Sequence, residues 1–152
     1  MIYSHTQVGA VMIAGLVIMI VAAFVMMATV PPPGSTLSAV IVLLGGLVLA
    51  SFMTLTVEIE GGMLTCRFGP GFIKKRIPLA EIVRATAARN PWFVGWGIRW
   101  IPGRYWVWNV SGFQAVELAM KNGRKFRIGT DEPEALVRAI QTGLQSGPPP
   151  LV

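Results

Sequence analysis

The sequence predicts an α+β membrane protein. An N-terminal hairpin of two apolar helices leads into an antiparallel β-barrel or sandwich of about seven strands, closed by one C-terminal helix. Three observations carry this. Residues 1–57 contain no Asp, Glu, Lys or Arg, and every charge of the 152-residue chain lies from Glu58 onward. Beyond the mid-fifties, apolar and polar side chains alternate with the period of a strand. After Thr130 the apolar period lengthens to that of a helix.

Residues 1–55 read as the hairpin. The run 8–30 is apolar throughout and spans about 34 Å as a helix, enough to cross a bilayer; the run 37–55 spans about 28 Å. Pro31, Pro32 and Pro33 stop the first helix, and Gly34 lets the chain reverse over a loop short enough only for antiparallel neighbours. The first run has no basic flank and no small-residue cleavage pattern, so it reads as a retained span rather than a signal peptide. Both runs are apolar on every face, unlike the striped helix of a soluble core. Ala10 and Ala14, and Gly46 and Ala50, place small residues one turn apart, a spacing that permits close helix approach within the hairpin or between copies. Arg67, Lys74, Lys75 and Arg76 follow the second run, whereas the first seven residues and the loop have no Lys or Arg. The expected topology has both termini in the cytoplasm.

Residues 56–146 read as the β domain, and 147–152 as a Pro-rich tail. Leu55, Val57 and Ile59 alternate with polar residues up to Gly61-Gly62, and Leu64, Cys66 and Phe68 follow. A two-residue Gly-Gly turn sets Ile59 against Leu64, Val57 against Cys66 and Leu55 against Phe68, so the apolar side chains share one face. A second hairpin surrounds Lys121-Asn122-Gly123. A three-residue loop with Gly123 left-handed pairs Val116 with Ile128, Leu118 with Phe126 and Glu117 with Arg127; a two-residue loop would mix the faces. Weaker strands are expected over 73–79, 82–88, 98–101 and 105–110. Asp131 and Glu134 have capping-box spacing with Pro133 in the first turn. Leu136, Ile140 and Leu144 mark the buried stripe, and Gly143 or Gly147 is the expected stop.

The chain has one cysteine and one histidine. Cys66 alternates with core residues and reads as a small buried side chain. His5 reads as part of a solvated or interfacial terminus. Together they fall short of a zinc site or a nucleophile–His pair, so no metal, cofactor or catalytic residue is expected. No small-molecule substrate is evident either. The net charge of +6 falls wholly on the β domain and favours a negatively charged partner. Lys74, Lys75 and Arg76, with Arg99 and Arg104 if the fold gathers them, are candidates for contact with anionic lipid; a solvated strand that discourages edge-to-edge aggregation is the simpler account of the cluster. All five tryptophans fall between residues 92 and 108. Trp92, Phe93, Trp96, Trp106 and Trp108 are candidate interface aromatics, with a core, a subunit interface and the membrane interface as alternatives. Stacking on single-stranded nucleic acid uses the same residue types, but a membrane tether disfavours it.

The stretches Ile77-Pro78-Leu79-Ala80-Glu81-Ile82, Gly95-Trp96-Gly97-Ile98-Arg99, Asn109-Val110-Ser111-Gly112 and Asn122 through Pro133 resemble those of bacterial membrane-anchored pleckstrin-homology-like (PH-like) proteins. In that group a transmembrane hairpin often precedes the domain. The resemblance implies a PH-like fold and a bacterial inner-membrane location rather than an activity. An interaction or scaffolding role, self-association included, is expected from the strand with two apolar faces at Tyr105–Val110, the short helix-to-strand junction near Leu55 and the lack of a catalytic constellation. Two features depart from phosphoinositide-binding PH domains. The first β-turn, Glu60-Gly61-Gly62-Met63, is short and acidic, and the C-terminal helix has no Trp.

Overall fold

The computed structural model describes residues 1–146; the expected Pro-rich tail, 147–152, lies outside the described residues. Two strands flank the apolar hairpin and pair with each other. Strand β1 (Tyr3–Val8) precedes helix α1 (Ala10–Thr29), and helix α2 (Gly34–Ser51) precedes β2 (Thr54–Glu60). The strands are antiparallel, Val8 opposite Thr54 and Tyr3 opposite Ile59. The Gly9 amide donates to the Met53 carbonyl at 2.6 Å, carrying the ladder to the foot of the helices.

The sequence suggests an interfacial or solvated terminus at His5 and a division between hairpin and β domain at residue 55. The structure instead puts the first eight residues in the β domain. Pairing with β1 also explains why α2 ends at Ser51 rather than near residue 55: Thr54 and Leu55 are already committed to the sheet. Both helices are long and apolar enough to span a bilayer. Thr29, Ser38 and Ser51 each turn their hydroxyl back to the carbonyl four residues earlier, so these polar groups are satisfied within their own helix. The helices pack through Gly15 against Leu49, Gly46 against Leu16 and Gly45 against Met19, with Ala23 buried between them. Of the four small residues singled out, only Gly46 lies in this seam; Ala10, Ala14 and Ala50 are exposed on the outer faces.

The first sheet continues through β3 (Met63–Phe68) and β4 (Ile73–Pro78) in the order β1-β2-β3-β4. Its central register is the expected one, Ile59 opposite Leu64 and Leu55 opposite Phe68. Gly61 and Gly62 both have positive φ, as the tight turn requires. The second sheet contains β5 (Ile82–Arg89), β6 (Gly97–Ile101), β7 (Tyr105–Asn109), β8 (Gln114–Met120) and β9 (Lys125–Gly129), in the order β5-β8-β9-β7-β6. The β8–β9 register also follows the expectation, with Glu117 opposite Arg127 and Gly123 at φ 78°.

Among the described residues nine strands replace the expected seven or so, and one pair is parallel: β9 runs beside β7, Trp106 opposite Phe126. The chain leaves β7, crosses the width of one strand, and the returning β9 fills the gap. Two strand spacings are about 10 Å, a distance four residues bridge easily. The crossing is fastened by buried Asn109. Its Nδ2 donates to the carbonyls of Gly112 (3.0 Å) and Gly95 (3.3 Å), and its Oδ1 accepts from the Ser111 amide (3.3 Å). The Asn109 side chain lies where a Cβ on Gly129 would stand, so β9 must end in glycine here.

Helix α3 (Pro133–Gln145) covers the end between the sheets, burying Leu136 and Ile140 completely. Leu144, expected in the same stripe, is exposed. Gly143 does not stop the helix; it lies within it, packed so closely on Leu79 and Ile59 that a side chain would collide with Leu79. Nor does the capping box form. Glu132 stands at the N-cap without a side-chain cap, and Asp131 turns to His5 instead.

Adding a methyl at Gly129 should drive it into Asn109 and undo the crossing. Gly129→Ala is expected to cost about 2 kcal/mol in chemical denaturation, within the usual range for overpacking. An unchanged midpoint would contradict the role given to Asn109.

Candidate interaction surface

The five candidate aromatics separate into four environments. Trp108 belongs to the core, 7% exposed. It stands in a row of rings that starts at the end of α2: Phe52 to Phe68 (5.1 Å), Phe68 to Trp108 (5.1 Å), Trp108 to Phe126 (5.9 Å). Trp96 is half-buried and lines a cleft with Met12, Leu49 and Phe52 at the foot of the helices. Trp106, on the same strand face as Trp108, lies nearer the open end of that face and is 46% exposed. It stacks at 6.3 Å with Trp100, itself 57% exposed, a partner that sequence reasoning left out. Their direct opposition in the β6–β7 register, fixed by the Pro102-Gly103-Arg104 turn, was the available signal. Trp92 and Phe93 project from a short 3₁₀ turn after β5, 80% and 59% exposed.

The basic candidates divide as well. Lys74, Lys75 and Arg76 are exposed on β4, an edge strand of the first sheet. Their side chains alternate. Lys75, opposite Cys66, turns inward over the Phe126 ring at 4.8 Å, ending the aromatic row. Lys75 and Arg76 line a cleft of about 200 Å³ together with Trp106, Arg124 and Lys125. Arg124 and Lys125 extend from it to Arg104 and Trp100 in a neighbouring hollow. The structure therefore joins Arg104 to Lys75 and Arg76 through two cations that the sequence reading did not single out. Arg99 lies apart, beside Trp96 at the helix feet.

A partly buried charge cluster lies behind this surface. Glu117 takes Arg127 at 2.7 Å and Lys125 at 3.0 Å, and Arg127 also lies over the Tyr105 ring at 3.8 Å. Burial pushes the Glu117 carboxyl up, but hydrogen bonds and charge from Lys125 and Arg127 outweigh it and hold the group below its ordinary value. Burial also raises the Cys66 thiol to about 12, partly opposed by Lys75, which makes it an unreactive core residue. His5, far from solvated and free, holds Asp131 at 2.6 Å and stands 3.6 Å from Glu132.

A larger hollow, about 840 Å³, opens between the edges of the two sheets. Gln7, Arg89, Gln114 and Asp131 are among its lining residues. Among the described residues, no group of three or more His, Cys, Asp or Glu is placed to hold a metal ion.

Comparison with family models and with curated proteins gives no match to this chain.

Because the folded carboxyl of Glu117 is held low, its ion pairs stabilise the fold above the ordinary carboxylate range. That contribution is lost as pH falls through the range toward the lower folded value. Glu117→Gln should lower stability at pH 7 by about 2 kcal/mol and reduce the loss seen on acidification. Thermal melts at pH 7 and pH 3 test this; a variant with the parent's full acid sensitivity would contradict it.

Proposed function

We propose that this chain is a membrane-anchored interaction domain of the PH-like kind that self-associates beside the bilayer and works by binding rather than catalysis. Helices α1 and α2 cross the inner membrane, and the β domain faces the cytoplasm. The support for the spans is an uncharged hairpin whose side chains are exposed nearly all round. The support for the orientation is the run of cations that follows α2.

The observation that carries the interaction reading is the exposed Trp100–Trp106 pair at the free β6 edge of the second sheet. Large aromatics at a desolvated centre are the usual anchors of protein interfaces. The edges differ in what they invite. Strand β4 carries Lys74, Lys75 and Arg76, which repel a second copy of the same edge. Strand β6 offers Ile98, Trp100 and Ile101 with Arg99 as its one charge. A second copy is thus the partner that β6 accommodates best.

A second reading, recognition of an anion, is favoured by Lys75, Arg76, Arg124 and Lys125 around Trp106. This cleft lies near the β8–β9 turn, at the end of β8 away from the helices. A ligand there approaches from the aqueous side, which leaves Lys74 and Arg99 as the cations for the chain's own bilayer.

Light scattering on the full chain in mild detergent tests self-association. The expected result is a dimer or larger assembly that a Trp100→Ser, Trp106→Ser double variant reduces to monomer with the fold intact. A parent protein that is strictly monomeric and brings down no partner would sink the reading.

A further inference from the structure

We infer that three loops of the β domain bed in the lipid–water interface beside the hairpin, so that the bilayer surface is itself a ligand of this domain. The inference rests on the membrane-spanning reading of α1 and α2. Two of these loops are tied to a helix end by their own contacts, and the third is tied to the second. Residues 69–72, between β3 and β4, lie against the end of α2. The Gly69 amide donates to the Thr54 carbonyl at 2.9 Å, and a Cβ on Gly69 would approach the Ser51 carbonyl oxygen to 2.7 Å. This loop presents Phe72, 86% exposed.

Residues 110–113, between β7 and β8, lie against the start of α1. A Cβ on Gly9 would stand 3.0 Å from the Val110 carbonyl oxygen, and Gln7 Nε2 donates to the Ser111 carbonyl at 3.2 Å. This loop presents Phe113. The third segment leaves β5 alongside, where the Asn90 amide donates to the Phe113 carbonyl at 2.6 Å. It presents Trp92 and Phe93, whose rings meet edge to face at 6.2 Å.

The opposite end of the domain is the control. Its four connections, Gly61-Gly62, Leu79-Ala80-Glu81, Pro102-Gly103-Arg104 and Lys121-Asn122-Gly123, contain no aromatic residue. Four large rings from three separate parts of the chain are exposed on the loops where the helices emerge; the exposed rings nearer the far end, Trp100 and Trp106, lie on strands β6 and β7 and none lies in a turn. A solvated surface gives no reason for that asymmetry, and a head-group layer does, since aromatic rings settle at its depth. Phe72 and Phe93 have no polar atom to keep in water. Lys74 follows Phe72 by two residues and Arg89 precedes Trp92 by three, which sets cations beside the rings for head-group phosphates.

Spin labels on single introduced cysteines test this with the full chain in lipid nanodiscs. The positions are Phe72→Cys, Trp92→Cys and Phe113→Cys, with Val21→Cys in α1 and Asn122→Cys in the far turn as references. Collisions with oxygen report lipid, and collisions with a water-soluble nickel chelate report water. The expected result is that labels at 72, 92 and 113 follow the label at 21 in favouring oxygen, whereas 122 favours nickel. Labels at 72, 92 and 113 that behave like 122 while 21 stays in lipid would overturn the inference and leave the anchor standing. Shielding of these three from both reagents would mean that protein covers them, and would equally overturn it. A label at 21 that favours nickel would remove the spanning reading, and this inference with it.

Discussion

The pairing of β1 with β2 is the constraint on which the rest of the structure depends. It closes the backbone around the helical hairpin: Val8 lies opposite Thr54, and each strand passes into its helix within two residues. Paired strands lie about 5 Å apart, whereas packed helices stand 8–10 Å apart, so the chain must splay within that short junction. Gly9 makes this possible. A Cβ there would meet the Met53 carbonyl oxygen at 3.1 Å and the Val110 carbonyl oxygen at 3.0 Å. A hairpin joined to its domain by one tether could swing; this one is joined by two hydrogen-bonded strands.

Packing continues what the backbone begins. Phe52, which caps α2, heads the row of rings through Phe68 and Trp108 to Phe126. Lys75 closes the row at the basic cleft. The core of the domain is therefore built from the helix foot outward, with the aqueous-facing cations at its other end. An interface on β6 and a cleft beside Trp106 then lie at set heights above the helix ends.

What could be read from the residues is what local chemistry determines. Gly61-Gly62 and Gly123 define turn geometries, and the alternation of Leu55, Val57 and Ile59 against Leu64, Cys66 and Phe68 leaves one sensible register. Strand β1 was not legible for the opposite reason. Its inward-leaning residues are Tyr3, His5 and Gln7, polar or amphipathic side chains that look like a wet terminus. Their burial makes sense only beside Asp131 and Ser111, more than a hundred residues away in sequence. The same pairing took Asp131 away from its expected capping role. The parallel β7–β9 pair was hidden similarly, because two adjacent hairpins do not reveal which strand lies between them. For the aromatic cluster, strand parity put Trp106 and Trp108 on one face, yet only the taper of the core separates the enclosed ring from the exposed one.

Amide hydrogen exchange on the full chain in lipid nanodiscs tests the central claim most directly. If β1 and β2 clamp the hairpin, the amides of Gln7, Gly9 and Leu55, which face the opposite strand of this pair, exchange as slowly as those in the middle of β3. If these junction amides exchange like a free linker while β3 stays protected, the domain hangs from a flexible tether and the account fails.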